Sequence, residues 1–216
     1  MSWFGSKKTV AGLPVISFSE VKKRTRIVVI DDDPNSFPIE ILKKEGYAID
    51  YWEDVEELSK LEEGAYDIIF LDIQGVGKDY SDEEGLGILE HLKNKNPSQI
   101  VVAFSCHSFD LSKNRFWKLA DDSLCKPVQA AKCKQLIDEL IKNKHNPKHY
   151  WSSVSQLLIH QGYSQKKIGK LENQICRAIE NKNTHEIQNI ISSCVDKTEI
   201  GLKIVGVVAK IVSLIA

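Results

Sequence analysis

The sequence predicts an α/β fold over residues 26–144: a doubly wound, five-stranded parallel sheet with helices on both faces. An N-terminal arm (1–25) precedes it and an all-helical region (145–216) follows. Three observations predict this. First, the runs IVVI (27–30), IIFL (68–71) and IVVAF (100–104) are wholly apolar. A strand with two apolar faces is stable only when both faces are covered, as in a parallel sheet. Second, helix-like stretches separate these runs at the spacing of β-α-β units, and right-handed crossovers then wind the sheet on both sides. Third, charge is divided into blocks. The formal net charge of the 216 residues is −1, but 1–25 carry +4, 26–143 carry −10 and 144–216 carry +5. Blocks of this kind point to separate functional units.

The elements follow in order. RIVVI (26–30) is the first strand. SFPIEILKKEG (36–46) is a helix with Phe37, Ile41 and Leu42 on one side, closed by Gly46. YAIDYW (47–52) alternates as a strand. DVEELSKLEEG (54–64) is a helix with Asp54 as N-cap and Gly64 after its end. DIIFLD (67–72) is a buried strand. SDEEGLGILEHLKNK (81–95) is a helix whose acidic first turn suits the positive end of the helix dipole. QIVVAFS (99–105) is the fourth strand, DLSKNRFWKLA (110–120) a helix and SLCKP (123–127) a short fifth strand. VQAAKCKQLIDELIKNK (128–144) is the closing amphipathic helix. HNPKHYW (145–151) reads as a linker, with helices after it over 149–161, 164–181, 184–195 and 198–215.

Ligands of such sheets sit beyond the carboxyl ends of the strands. There the sequence sets Asp31, Asp32 and Asp33 after strand one, Asp72 after strand three, Ser105 after strand four and Lys126-Pro127 after strand five. Any one of these is an ordinary turn residue. Together they put four aspartates, a hydroxyl and a lysine on one edge.

VVIDDDP, YDIIFLDIQG, IVVAFS and SLCKP in this order resemble the receiver domain of two-component response regulators, over about residues 25–144. The resemblance implies a flavodoxin-like strand order, 2-1-3-4-5. It implies that Asp72 is the phosphoacceptor, a carboxylate nucleophile forming an acyl phosphate. It implies Mg²⁺ held by Asp32 directly, by Asp31 mainly through water, by Asp72 and by the backbone carbonyl of Gln74. Mg²⁺ favours oxygen donors and keeps several waters, so few carboxylates suffice. Lys126 would pair with a phosphoryl oxygen and Ser105 would hydrogen-bond another, turning an added charge of about −2 into a change of shape. Asp33 is read as a turn residue, and His91 and His107 as surface residues; His107 could tune dephosphorylation. The implied partner is a sensor histidine kinase or a phosphotransfer protein. No enzyme activity is expected beyond self-phosphorylation from a phosphodonor and autodephosphorylation.

Three features depart from the usual receiver. The loop IQGVGKDYSDEEGLG after Asp72 is longer and lacks its proline. Ser123 stands where a switching aromatic is usual, three residues before the lysine. Val128 replaces a common Phe. The phosphorylation chemistry reads as intact and the readout as altered.

The ends leave several outputs open. In EIGLKIVGVVAKIVSLIA (199–216) apolar residues cover nearly the whole circumference, broken by Lys203 and Lys210 on one side. Such a helix is buried, packs on a partner in a homo-oligomer, or lies on a membrane surface. LLIHQGYSQKKIGKL (157–171) is similar to the turn of a helix-turn-helix, so a DNA-binding regulator stays open; so does a phosphate sink with no output. Trp3, Phe4, Lys7 and Lys8 of the arm could join a membrane or oligomer contact. Pro14 breaks the apolar stretch behind Lys7 and Lys8, no small-x-small cleavage site follows, and no run reaches 18 uncharged apolar residues. Cys106, Cys125, Cys133, Cys176 and Cys194 lack any C-x-x-C spacing and read as free thiols. A cytoplasmic, bacterial protein is expected.

Overall fold

The computed structural model describes residues 8–105, 118–195 and 198–216. They form two compact units: Ser17–His145, and Asn146–Ala216 with the described part of Met1–Ile16. The arm read as one piece over 1–25 is shared between them. Ser17 caps a helix of the first unit, its hydroxyl accepting the Glu20 N–H at 3.2 Å. The Val10 N–H donates to Glu172 Oε1 at 2.9 Å in the second.

In the first unit, β1 (Arg26–Ile30), β2 (Ala48–Trp52), β3 (Ile68–Asp72), β4 (Ile100–Ser105) and β5 (Asp122–Cys125) form one sheet in the order β2-β1-β3-β4-β5. Every neighbouring pair is parallel. The register sets Val28 beside Ile69, Ile69 beside Val101, and Ala103 beside Ser123. The period of two along each strand divides the apolar residues between two layers. Val28, Ile30, Ile69, Leu71, Val101 and Ala103 pack on α3 (Leu58–Glu62) and α4 (Glu84–Lys95) through Leu61, Ile88, Leu89 and Leu92. Phe70 and Phe104 face the other way. Phe37 meets both rings there, at centroid distances of 4.9 and 5.4 Å. α1 (Phe18–Arg24), α2 (Ile39–Lys44) and α5 (Ala130–Asn143) complete the unit. α5 buries Cys133, Ile137, Leu140 and Ile141, one stripe at helical spacing.

Four local expectations are corrected. Asp54 does not cap a helix: α3 begins after Glu57, and Asp54 Oδ1 accepts the N–H groups of Val55, at 2.6 Å, and Gly77. The helix expected from 81 begins at Glu84, because Ser81 turns the chain first. Its hydroxyl accepts the Glu83 N–H at 3.1 Å and its carbonyl the Glu84 N–H at 2.9 Å. The first helical turn therefore holds one acid, Glu84. The stretch 145–151 is no linker, since α6 (Pro147–His160) starts inside it. Asn146 Oδ1 accepts the His149 N–H at 2.9 Å and Pro147, with no N–H to satisfy, fits the first turn. The strand expected over 123–127 runs Asp122–Cys125.

The second unit packs α6 with α7 (Gln165–Glu180), α8 (Glu186–Cys194) and α9 (Thr198–Ser213). In α9 the inner row is Ile204, Val208 and Ile211, each with no exposed surface, while Leu202 is 60% exposed. That row lies against α6 and α8. Among the described residues no helix is long and apolar enough to cross a membrane. Cys133 and Cys176 are buried free thiols, and Cys125 and Cys194 are half-buried. The helix read over 110–120 lies outside the described residues as far as 117, as do Cys106, His107, Trp3, Phe4 and Lys7.

Candidate functional site

Because all five strands run the same way, their carboxyl ends share one edge. Asp31 follows β1, Asp72 ends β3, Ser105 ends β4 and Lys126 follows β5. Asp31, Asp32 and Asp72 each bring one carboxylate oxygen within 4.8 Å of the others. Asp31 and Asp72 are buried and Asp32 is exposed. The Lys126 ammonium stands 2.5 Å from Asp31 Oδ2 and 2.5 Å from Asp72 Oδ2, with 9% of its side chain exposed. It also lies 4.8 Å from the Phe104 ring centroid.

The surroundings fix both buried carboxylates. Asp31 Oδ1 accepts the Asp33 N–H at 2.9 Å, Asp31 Oδ2 accepts the Ser36 hydroxyl at 2.7 Å, and the Tyr51 hydroxyl donates to the Asp31 carbonyl. Asp72 Oδ1 accepts the N–H of Ile73 at 2.6 Å and of Gln74 at 3.4 Å. Burial pushes the Asp72 carboxyl above the usual carboxylate range. The hydrogen bond and charge of Lys126 oppose this without cancelling it, and the Asp31 charge adds to the rise. Burial alone would lower Lys126, but hydrogen bonds and charges from two carboxylates outweigh it and hold it above the usual lysine range. The two partners move the same way because the ammonium faces two anions, whereas Asp72 faces one cation, a second anion and a dry pocket. Burial, then the Asp31 charge, push the Tyr51 hydroxyl up to about 12, so it stays a donor.

The loop after β3 is set by close approach. Gly75 has φ +87°, and a Cβ there would stand 2.2 Å from Asp32 Oδ2. At Gly85 a Cβ would stand 1.9 Å from the Asp72 carbonyl oxygen, so only glycine lets α4 begin against the end of β3. Glu84 Oε2 accepts the Gly75 N–H at 2.8 Å, and Asp54 holds Gly77 from the other side.

Three carboxylates converging with no nitrogen or sulfur donor among them suit a hard divalent cation such as Mg²⁺. The contacts bring together Asp31, Asp32, Asp72 and Lys126. Ser105 is buried at the end of β4, its carbonyl accepting the Lys126 N–H at 3.1 Å. Gln74 stands exposed in the loop after β3. Asp33 takes the turn role, its Oδ1 accepting the Asn35 N–H at 2.9 Å. His91 pairs with Glu62. Ser123 lies exposed in β5. Ser36, Tyr51 and Glu84 were not read as site residues. Tyr51 reaches the site from β2 and Glu84 from the start of α4, while Ser36 lies in the loop after β1 itself.

No family model and no curated protein matches the chain. Solved structures of receiver domains resemble about 55% of it. One is a CheY-like receiver domain from Methanospirillum hungatei, 25% identical over 56% of this chain and 95% of that one, TM-score 0.47. Another is the response regulator TrrA from Thermotoga maritima in complex with Mg²⁺-BeF, 30% identical over 54% and 98%, TM-score 0.45. A third is the receiver domain of NtrX from Brucella abortus, 25% identical over 54% and 98%, TM-score 0.45.

Proposed function

We propose that the unit Ser17–His145 is the phosphoacceptor receiver of a two-component response regulator, and that Asp72 takes the phosphoryl group from a histidine kinase or phosphotransfer protein. The observation that carries this is the buried Asp31–Lys126–Asp72 arrangement with Asp32 beside it, at the carboxyl edge of a 2-1-3-4-5 sheet. One Asp72 oxygen attacks phosphorus, a P–O bond to the carboxylate forms, and the bond to the donor's leaving group breaks. The Ile73 N–H fixes the Asp72 side chain for that approach. Lys126, already bonded to Asp72, stays as the cation for a phosphoryl oxygen. Ser105 is assigned to another phosphoryl oxygen. Asp31, Asp32, Asp72 and the Gln74 carbonyl would hold Mg²⁺, which supplies charge neutralisation at the transferred group. Acetyl phosphate with Mg²⁺ should add one phosphoryl group to the intact mass, and EDTA should block it. No gain at saturating donor, or a gain indifferent to EDTA, overturns this reading.

Output through protein contact by the helical unit is the first reading, in a cytoplasmic setting. A second is favoured by one observation. On α7 the exposed Lys166, Lys170 and Arg177, with Asn173 between them, line an open groove of about 720 Å³ that holds no acidic residue. α6, the turn at Gly162 and α7 have the order of a helix-turn-helix, in which the second helix meets nucleic acid. Duplex DNA of random sequence should then bind the full chain, with log K falling against log salt by about 0.9 per neutralised phosphate. Lys166→Gln with Lys170→Gln should weaken it. No binding at low salt removes this reading.

A further inference from the structure

We propose that Glu84 is a positioning residue for the metal, one that sets the direction of the Gln74 carbonyl; this rests on the Mg²⁺ reading above. Glu84 Oε2 accepts the Gly75 N–H at 2.8 Å. That N–H and the Gln74 carbonyl belong to one peptide unit. The unit is planar and trans, so its N–H and C=O point to opposite sides. A carboxylate fixed on the N–H therefore fixes the carbonyl.

The position of Glu84 argues that its side chain has a task. Its backbone has φ 52°, in the left-handed region that favours glycine. On one side Gly85 lies against the Asp72 carbonyl; across the loop, Gly75 lies against Asp32 Oδ2. Glycine at 84 would relieve the backbone and lose the carboxylate. Among the described residues only one other non-glycine residue, Lys182, has positive φ, and it ends a helix of the second unit. Glu84 thus ties the start of α4 to the loop after β3, at the amide of the glycine that lies against Asp32 Oδ2. Asp54 does the same for Gly77, so the long loop that replaces the usual proline turn is held at two amides by carboxylates from two segments.

Glu84→Gly and Glu84→Gln separate positioning from structure and from charge. Glycine suits φ 52° but cannot reach Gly75, whereas a glutamine oxygen can still accept its N–H. Mg²⁺ affinity of the full chain is read by titration calorimetry, and Tm is read without Mg²⁺. Glu84→Gly should weaken Mg²⁺ by about tenfold or more, the usual scale for losing an outer partner of a metal site. Its metal-free Tm should match or exceed wild type. Glu84→Gln should bind Mg²⁺ more tightly than Glu84→Gly and closer to wild type. Unchanged affinity in Glu84→Gly overturns the inference. So does Glu84→Gln as weak as Glu84→Gly, which would assign the effect to charge, or a metal-free Tm that falls in step with affinity, which would assign it to folding. Wild type that takes up no Mg²⁺, with Asp32→Asn indistinguishable from it, overturns the metal reading itself and Glu84's role with it.

Discussion

Asp72→Ala is expected to reduce phosphoryl transfer from acetyl phosphate to background while the protein stays folded. The methyl group has no lone pair to attack phosphorus, and the other buried carboxylate, Asp31, is held by partners of its own. Asp31 is enclosed, with its oxygens on the Asp33 N–H, the Ser36 hydroxyl and the Lys126 ammonium. Asp32 is exposed and lies against Gly75. The fold should tolerate the change. Burial raises the Asp72 carboxyl above its ordinary value, so ionised Asp72 costs the folded state free energy at neutral pH. Removing it removes that cost, and Lys126 keeps Asp31 as a partner at 2.5 Å. Intact mass after donor treatment, beside Tm without donor, separates chemistry from folding. Labelling of the variant at a rate comparable to wild type would move the phosphoacceptor elsewhere. A collapse of Tm would make the loss of labelling uninformative about Asp72 and would contradict the electrostatic reading of its pocket.

Asp31, Asp72 and Ser105 were legible in the sequence for one reason. Each ends an apolar run, and runs apolar on both faces belong to a parallel sheet whose carboxyl ends share an edge. IVVI, IIFL and IVVAF became β1, β3 and β4 with no exposed apolar residue among them, so the runs located the strands and the strands located Asp31, Asp72 and Ser105. Contacts between segments were not legible. Asp54 has the type and spacing of an N-cap, but the Gly77 N–H outcompetes the helix for it, and that amide lies 23 residues away. In the sequence Glu84 is one of three first-turn acids, with Asp82 and Glu83. Its partner Gly75 is nine residues back, across a loop with no period to read. Asn146-Pro147 was a helix start that the neighbouring Gly-free, His-rich stretch disguised as a linker. In the last helix, apolarity around the whole circumference concealed which row is inside. The packing selects Ile204, Val208 and Ile211, spaced four and three apart, and leaves Leu202 out.

Lys126→Met should cost about 3–5 kcal/mol of stability at neutral pH, the penalty of leaving buried charge without its partner. Methionine keeps a long apolar side chain and removes the ammonium, together with its approach to the Phe104 ring. In wild type that ammonium sits between Asp31 and Asp72, whose side chains are 0% and 9% exposed. Without it, two largely buried carboxylates face each other with no cation between them. The cost should depend on pH with a definite sign. Asp72 binds its proton more tightly in the folded protein than in the unfolded chain, so its contribution is most favourable below the unfolded value of 3.8 and declines as pH rises through the folded value. Losing the pull of Lys126 moves the folded value further up and carries that decline toward neutral pH. Urea unfolding should therefore show a smaller gap between wild type and variant at about pH 4 than at about pH 7. Lys126 acts with the opposite limb: its raised folded value gives stability that is full below 10.5 and lost as pH rises through the folded value. That alkaline loss should be present in wild type and missing in the variant. Saturating Mg²⁺ should recover part of the neutral-pH deficit, since a cation that binds the folded carboxylates stabilises by mass action. Equal stability of the two proteins at neutral pH would mean that Asp31 and Asp72 do not depend on Lys126. The cation between the carboxylates would then be a bystander, and the site would lose the feature that most sets it apart from three acidic turns.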